Sequence, residues 1–306
     1  MTKIIKNHAA SIRAKLFNHA KQHGDDFQRI LTRYAIERLL FRLSQTQAAE
    51  FYVLKGAMLF ITWPEHIFRP TGDLDLLGKG PANPDAITKL VTEICTIECH
   101  EDGIQFLSDS LRVDEVREAD KYQGVRVNLN AELHKAIIQI QIDIGFGDHV
   151  HPTPKRGSFP NLLSGLPEAN ILMYPAESVI AEKLQALIHL GELNSRIKDF
   201  YDIWVLARTF PFEMSDIVEA INGTLQRRET VVPTEIPLGL TKAFVATVNE
   251  QGLWTGFLRR NPPTIMPPPF AELQEELRRF FGPIITALDR PEAAYGLWDP
   301  KGGVWQ

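Results

Sequence analysis

Asp73 and Asp75 lie two residues apart, and Leu74 and Leu76 alternate with them. In an extended strand that period puts both carboxylates on one face and both leucines on the other. Two like charges on one side of a short strand repel unless water or a cation lies between them. Carboxylate oxygens are hard ligands that suit Mg²⁺, which takes one or two protein carboxylates and lets substrate phosphates complete its shell. Such pairs also occur on solvated turns, so the surrounding residues have to decide. Asp143 follows about seventy residues later, in the clearest strand pattern of the chain. There Ile138, Ile140, Ile142, Ile144 and Phe146 face one way, and Gln139, Gln141 and Asp143 face the other. Three carboxylates on neighbouring strands of one sheet could hold two Mg²⁺ ions, about 3.5–4 Å apart, clamping an in-line phosphoryl displacement. The ordinary reading of Asp143 alone is a solvated strand residue.

Lys55-Gly56 precedes a short apolar segment that reads as a helix, Ala57 to Trp63. Glycine lets backbone approach a phosphate, and a helix N-terminus offers free N–H groups to an anion. By itself this is also an ordinary strand-to-helix turn. Lys183 falls beside the apolar stripe of a helix from Glu177 to Leu190, where its ammonium can reach past the edge of the core. In Arg196-Ile197-Lys198-Asp199-Phe200-Tyr201-Asp202, the two aspartates are i,i+3 on one face near a helix start, where negative charge is favoured. Capping and solvated ion pairs explain the segment without function. The functional reading makes Arg196 and Lys198 nucleotide or RNA contacts, and Asp199 or Asp202 an orienter of Lys183 or of the nucleotide. His149-Val150-His151 lacks the cysteines or helical His spacing of a zinc site. The pairs Arg227-Arg228, Arg259-Arg260 and Arg278-Arg279 read as solvated faces or, where RNA binds, as phosphate contacts.

Two halves must position these groups. Helices are expected over Ser11–His23, Asp25–Leu43 and Asp85–Cys99, with strands at Phe51–Leu54, at the D-x-D segment, at Leu111–Val113, at Gly124–Asn130 and at Ala136–Phe146. The last two are close enough for an antiparallel hairpin. Residues 147–175 carry five prolines and read as a linker or cover loop. Beyond them the pattern is helical, with a tail from Pro291 that shows no helical period. The fold class is therefore α+β, a mixed sheet with helices over 1–170 followed by an all-α domain over 171–306. The net charge of −5 excludes a generally basic nucleic-acid binder, so any RNA contact needs a local basic patch. Cys95 and Cys99 suit buried thiols in a reducing compartment. No apolar run of membrane-spanning length or signal-peptide pattern is present, and a cytoplasmic protein without membrane partners is expected.

A glycine turn, then D-x-D on a strand, then a third acidic strand residue is the layout of the polymerase-β-like nucleotidyltransferase superfamily. More narrowly, the chain resembles the AbiEii/AbiGii-type nucleotidyltransferase toxins, the toxic halves of bacterial abortive-infection toxin–antitoxin pairs. Three stretches carry the resemblance: Leu54-Lys55-Gly56-Ala57 with Arg69-Pro70-Thr71-Gly72-Asp73-Leu74-Asp75; Ile140 to Asp148; and Pro175 to Leu184 with Asn194 to Asp202. It implies a polymerase-β-like domain followed by a helical domain, with an NTP bound in the cleft between them. Asp73, Asp75 and Asp143 would hold one or two Mg²⁺ ions, Asp143 alternatively acting as general base. Lys55, Gly56, Ala57, Arg69, Thr71, Lys183, Arg196, Lys198 and Asp202 would bind the nucleotide, and Asp199 is favoured as the further active-site carboxylate. The chain departs from the superfamily's Gly-Ser pair at Gly56-Ala57, so no serine hydroxyl is there to bind phosphate. The implied activity is transfer of NMP from an NTP, a pyrimidine such as CTP first and GTP second, to the 3′ end of tRNA. A cognate antitoxin and a role in phage defence are implied with it. Rival readings are a non-catalytic nucleotide-binding module, such as a GTP binder, and a nucleotidyltransferase acting on a small molecule or a protein.

Overall fold

The computed structural model describes residues 8–63, 71–118, 122–191, 194–260, 262–290 and 294–306. Two compact units divide these residues. One holds 8–63, 71–147 and 156–173; the other holds 148–155 and 174–306.

The first unit begins with α1 (His8–His23) and α2 (Phe27–Ser44). The Asp26 side chain caps α2 by accepting the Arg29 N–H at 2.9 Å. Its strands are β1 (Tyr52–Lys55), β2 (Asp73–Gly78), β3 (Ile104–Glu118), β4 (Tyr122–Leu133), β5 (Ala136–Phe146), β6 (Lys155–Phe159) and β7 (Ala169–Met173), with α3 (Pro84–Thr96) between β2 and β3. They form a seven-stranded mixed sheet in the order β3-β4-β5-β2-β1-β7-β6. β4 and β5 are the antiparallel hairpin, closing at Leu133↔Ala136. β2 runs parallel to β5 and antiparallel to β1. One face of the sheet is apolar: Leu74, Leu76, Ile142 and Ile144 meet Leu39, Leu40 and Leu43 of α2 and Ile87, Val91 and Ile94 of α3. Burying each such side chain contributes roughly 1.5–3 kcal/mol, which fixes which side of β2 and β5 faces inward.

Three details differ from the sequence reading. The segment after Gly56 is a short 3-10 helix, Ala57–Thr62, rather than an α-helix. Its five consecutive buried residues, Ala57 to Ile61, have no polar face, so tertiary packing sets their geometry. The proline-rich stretch is more than a cover loop. β7 alternates buried Ala169 and Ile171 with outward residues and pairs parallel with β1, yet five residues between prolines are too few to show a period. The tail forms a small hairpin from β8 (Trp298–Asp299) and β9 (Val304–Trp305). It is held by its indoles, with Trp298 Nε1–H donating to Ala207 O at 2.6 Å and Trp305 Nε1–H to Phe280 O at 2.9 Å.

The second unit contains α4 (Ala176–Leu190), α5 (Ile197–Thr209), α6 (Met214–Arg227), α7 (Lys242–Glu250), α8 (Leu253–Arg260) and α9 (Phe270–Asp289). An aromatic core ties them together. Phe200 lies 5.4 Å from Phe244 and 5.2 Å from Phe270, and Phe280 lies 4.9 Å from Trp298. None of the helices among the described residues is long and apolar enough to cross a membrane.

In the first unit α2 carries charge into the core. Arg38 and Arg42 converge on fully buried Asp102 at 3.3 and 2.7 Å, and the Tyr34 hydroxyl donates to Asp102 O at 2.7 Å. Glu37 is also buried, and its Oε2 accepts the Leu162 N–H at 2.9 Å while Oε1 has no partner among the described residues. Burial pushes the Glu37 carboxyl up to about 7 from 4.5, against the Leu162 hydrogen bond and Arg38. Between those pH values the folded chain holds a proton that the unfolded chain has lost. Stability from this group therefore falls as pH rises from about 4.5 to 7. Glu37→Gln should abolish that slope and raise stability at pH 8 by about 2–3 kcal/mol, read from urea unfolding across the pH range.

Candidate active site

The candidate residues of the first unit lie on the face of the sheet opposite the apolar side. The registers Lys55↔Asp75, Asp75↔Asp143, Asp143↔Arg126 and Arg126↔Asp114 align one residue from each of β1, β2, β5, β4 and β3 in a single row. Asp73 stands in the adjoining row, opposite Gln141. The alternation that buries Leu74 and Leu76 therefore turns Asp73 and Asp75 to the same side as Asp143. Asp73 is exposed and Asp75 is half-buried.

Gly56 comes up against this row. Its backbone, φ 71° and ψ −162°, lies in a region open essentially to glycine alone. A Cβ placed there would sit 2.0 Å from Asp75 Oδ2. The turn thus needs glycine twice, for its dihedrals and for the room it leaves the carboxylate. Ala57 is buried behind it, and Thr71 is half-buried just before β2. Arg69 lies outside the described residues.

Asp143 is tied by both oxygens. Arg126 Nε donates to Oδ1 at 2.7 Å, Arg126 Nη2 to Oδ2 at 3.0 Å, and Gln141 Nε2 to Oδ2 at 3.0 Å. This forked pairing is the strong, directional kind of charge-assisted bond. The arginine escaped the sequence reading, although the β4 alternation that places Val125 and Val127 inward places Arg126 outward. Among the described residues, no group of three His, Cys, Asp or Glu side chains converges to hold a metal ion. Asp73 and Asp75 offer hard carboxylate oxygens on one face of β2, a donor chemistry that fits a single Mg²⁺. Asp143, held by Arg126, would have to exchange that guanidinium before binding an ion.

In the second unit, Lys183 projects from α4 to α5. Its Nζ donates to Asp199 Oδ1 and to Asp202 Oδ2, each at 2.7 Å. The i,i+3 spacing brings both carboxylates to one ammonium. Arg196 Nε lies 3.0 Å from Asp199 Oδ2. The two aspartates are at most 1% exposed and the lysine 15%, so the cluster is desolvated and its geometry is fixed. Lys198, by contrast, is exposed.

A second polar cluster of this unit was missed. Arg228 bonds Asp148 at 3.3 Å and Gln185 at 2.9 Å, and Glu182 lies 3.5 Å away. Tyr174 O–H donates to Glu182 at 2.8 Å. Burial, then Glu182 and Asp148, hold the Tyr174 phenol well above its usual range. Burial pulls the Arg228 guanidinium down, yet Glu182 and Asp148 outweigh it and the group stays charged. In the sequence Arg227-Arg228 looks like a solvated pair, and only the fold separates the two. His151 is likewise engaged by carboxylates, Asp216 at 3.2 Å and Glu219 at 3.1 Å.

The family model described as nucleotidyl transferase AbiEii toxin, type IV toxin–antitoxin system, matches residues 38–276. The chain belongs to this family: it is a nucleotidyltransferase toxin of the abortive-infection class, with an NTP substrate and a cognate antitoxin. Two crystal structures from Helicobacter pylori are similar over most of their lengths. That of JHP933 has TM-score 0.48 and 16% identity, covering 87% of this chain and 96% of its own. That of a putative nucleotidyltransferase has TM-score 0.44 and 16% identity, covering 87% and 98%. No curated protein sequence matches the chain.

Two outcomes are expected. Lys183→Ala withdraws the ammonium from two buried carboxylates and should cost about 3–5 kcal/mol in urea unfolding. Gly56→Ala forces a Cβ into a glycine-only backbone region and against the Asp75 carboxylate, and should cost about 1–3 kcal/mol in urea unfolding and lower nucleotidyl transfer at least ~100-fold.

Proposed function

We propose that this toxin transfers NMP from an NTP to the 3′ end of tRNA and so stops translation. The observation that carries the reading is Asp75 standing beside Asp143 across a parallel strand pair, with Gly56 against the Asp75 carboxylate. A 3′ hydroxyl oxygen of the acceptor forms the new bond to the α-phosphorus, the bond from that phosphorus to the bridging α,β-oxygen breaks, and pyrophosphate leaves. Asp73 and Asp75 are the residues that hold Mg²⁺, which when bound offsets phosphate charge and polarises the phosphoryl oxygens. Asp143 either joins them or receives the hydroxyl proton, and Arg126 is the group that holds it until then. Lys55 and Arg196 offset the phosphate charge, the backbone N–H groups of Gly56 and Ala57 donate hydrogen bonds to it, and Arg69, Thr71 and Lys198 bind the nucleotide. Lys183 also offsets the phosphate charge, oriented by Asp199 and Asp202. A pyrimidine donor, CTP first, is preferred over GTP. The reaction places the protein in the cytoplasm.

A binding-only module is the second reading. Ala57 in place of serine and the Arg126 fork on Asp143 favour it.

A labelling assay separates the two. Protein, Mg²⁺, each α-labelled NTP in turn and total cellular RNA or a protein extract are incubated together, with Asp75→Ala as control. Label should enter tRNA from one NTP and fall at least ~100-fold in the control. Label in protein or in a small molecule would replace the acceptor. Bound NTP without label in any fraction would replace the transferase by the binding module.

A further inference from the structure

A cavity of about 90 Å³ in the second unit lies between α5, α9 and the β8–β9 hairpin. Its lining includes Trp204, Arg208, Glu276, Arg279, Trp298 and Lys301. Three of these side chains are cations and one is an anion, in a chain whose overall charge is −5. The one carboxylate is spent locally, because Glu276 Oε2 accepts from both Trp204 Nε1 and Arg208 Nη1 at 2.9 Å. That holds the Arg208 guanidinium over the Trp204 ring, 5.3 Å from its centroid. Arg279 and Lys301 are exposed at the rim, and neither has a side-chain ion pair or hydrogen bond among the described residues. Gly302 and Gly303 of the hairpin turn complete the wall, bringing backbone to the cavity without side chains.

The indoles are at most 4% exposed, so they form a floor and offer no face for a base to stack on. The space suits one phosphate group rather than a nucleobase with its sugar. Arg208 lies nine residues after Asp199 on α5, two and a half turns along, which puts it on the opposite side of that helix from the lysine cluster. The cavity is therefore separate from the Lys183 cluster of the same unit.

We propose that this cavity is an anchoring site for a backbone phosphate of a polynucleotide, gripped by Arg279, Lys301 and Arg208. The polynucleotide as source rests on the RNA-acceptor reading above, and a free nucleotide is the competing source of the same group. An acidic protein that binds RNA has to gather positive charge locally, and the cavity supplies a net positive rim around a space of phosphate size.

The test is binding, without turnover, of a fluorescein-labelled single-stranded RNA of about ten nucleotides, followed by anisotropy over a salt series. Arg279→Ala with Lys301→Ala changes only exposed side chains, and thermal unfolding checks that the fold is kept. The double variant should lose about tenfold in affinity at low salt, and its log–log salt slope should shrink by about 0.7, the share of one phosphate. Unchanged affinity and slope would overturn the proposal. Inorganic phosphate and CMP are the competing probes, and displacement of the RNA by either at the oligomer's own concentration would assign the cavity to a free nucleotide and overturn the polynucleotide reading. An unlabelled tRNA in the transfer assay with RNA binding still dependent on Arg279 and Lys301 would sink the transferase alone. Labelled tRNA with unchanged anisotropy in the variant would sink this inference alone.

Discussion

The parallel pairing of β2 with β5 is the constraint on which the candidate site depends. A strand has a side-chain period of two, so one register puts Leu74, Leu76, Ile142 and Ile144 under α2 and α3 and Asp73, Asp75 and Asp143 on the other face. A slip of one residue on either strand would drive carboxylates into the core and leucines or isoleucines into water. The apolar side thus fixes the alignment of the acidic side. Asp75 and Asp143 would repel each other as neighbours, but Lys55 stands beyond one and Arg126 beyond the other in the same row. Cross-strand pairs of opposite charge each contribute roughly 0.2–1 kcal/mol, enough to make two adjacent carboxylates tolerable without any bound ion.

The buried charges of the two units serve position more than stability. Breaking a desolvated ion pair is costly, whereas replacing it whole by apolar side chains is often neutral. Asp102 between Arg38 and Arg42 joins α2 to the start of β3, since its Oδ1 also accepts the Ile104 N–H. Lys183 between Asp199 and Asp202 performs the same service for α4 and α5. Each uses charge to set the angle and register of a helix that apolar packing alone leaves with more freedom.

Much of this was legible in the sequence, for identifiable reasons. The β5 alternation runs for nine residues, and its bounds, Ala136 to Phe146, were read correctly. The α/β half followed by a helical half could be read because the pattern changes period between them. What the sequence hid is equally physical. β6 and β7 are five residues each, too short for a period to stand out among prolines. The 3-10 helix after Gly56 is apolar all round and carries no sign of its own geometry. Arg126 and Arg228 looked like any surface arginine, because their partners Asp143 and Asp148 become neighbours only through pairing and packing distant in the chain. The choice between Asp199 and Asp202 as the orienter of Lys183 could not be made from spacing, and the fold places both on the ammonium.

The sheet order also bears on when the acidic row can first form during synthesis. β2 finds its parallel neighbour only in β5, about seventy residues later, and β1 finds its own in β7, later still. Contacts so distant along the chain close late, after the cost of ordering the intervening loop has been met. On a ribosome that adds about 5–20 residues per second, the D-x-D segment leaves the exit tunnel seconds before the strand that completes its row. Through that interval the strand that brings Asp143 and Arg126 beside Asp75 does not yet exist, so the acidic row is assembled only once β5 has emerged.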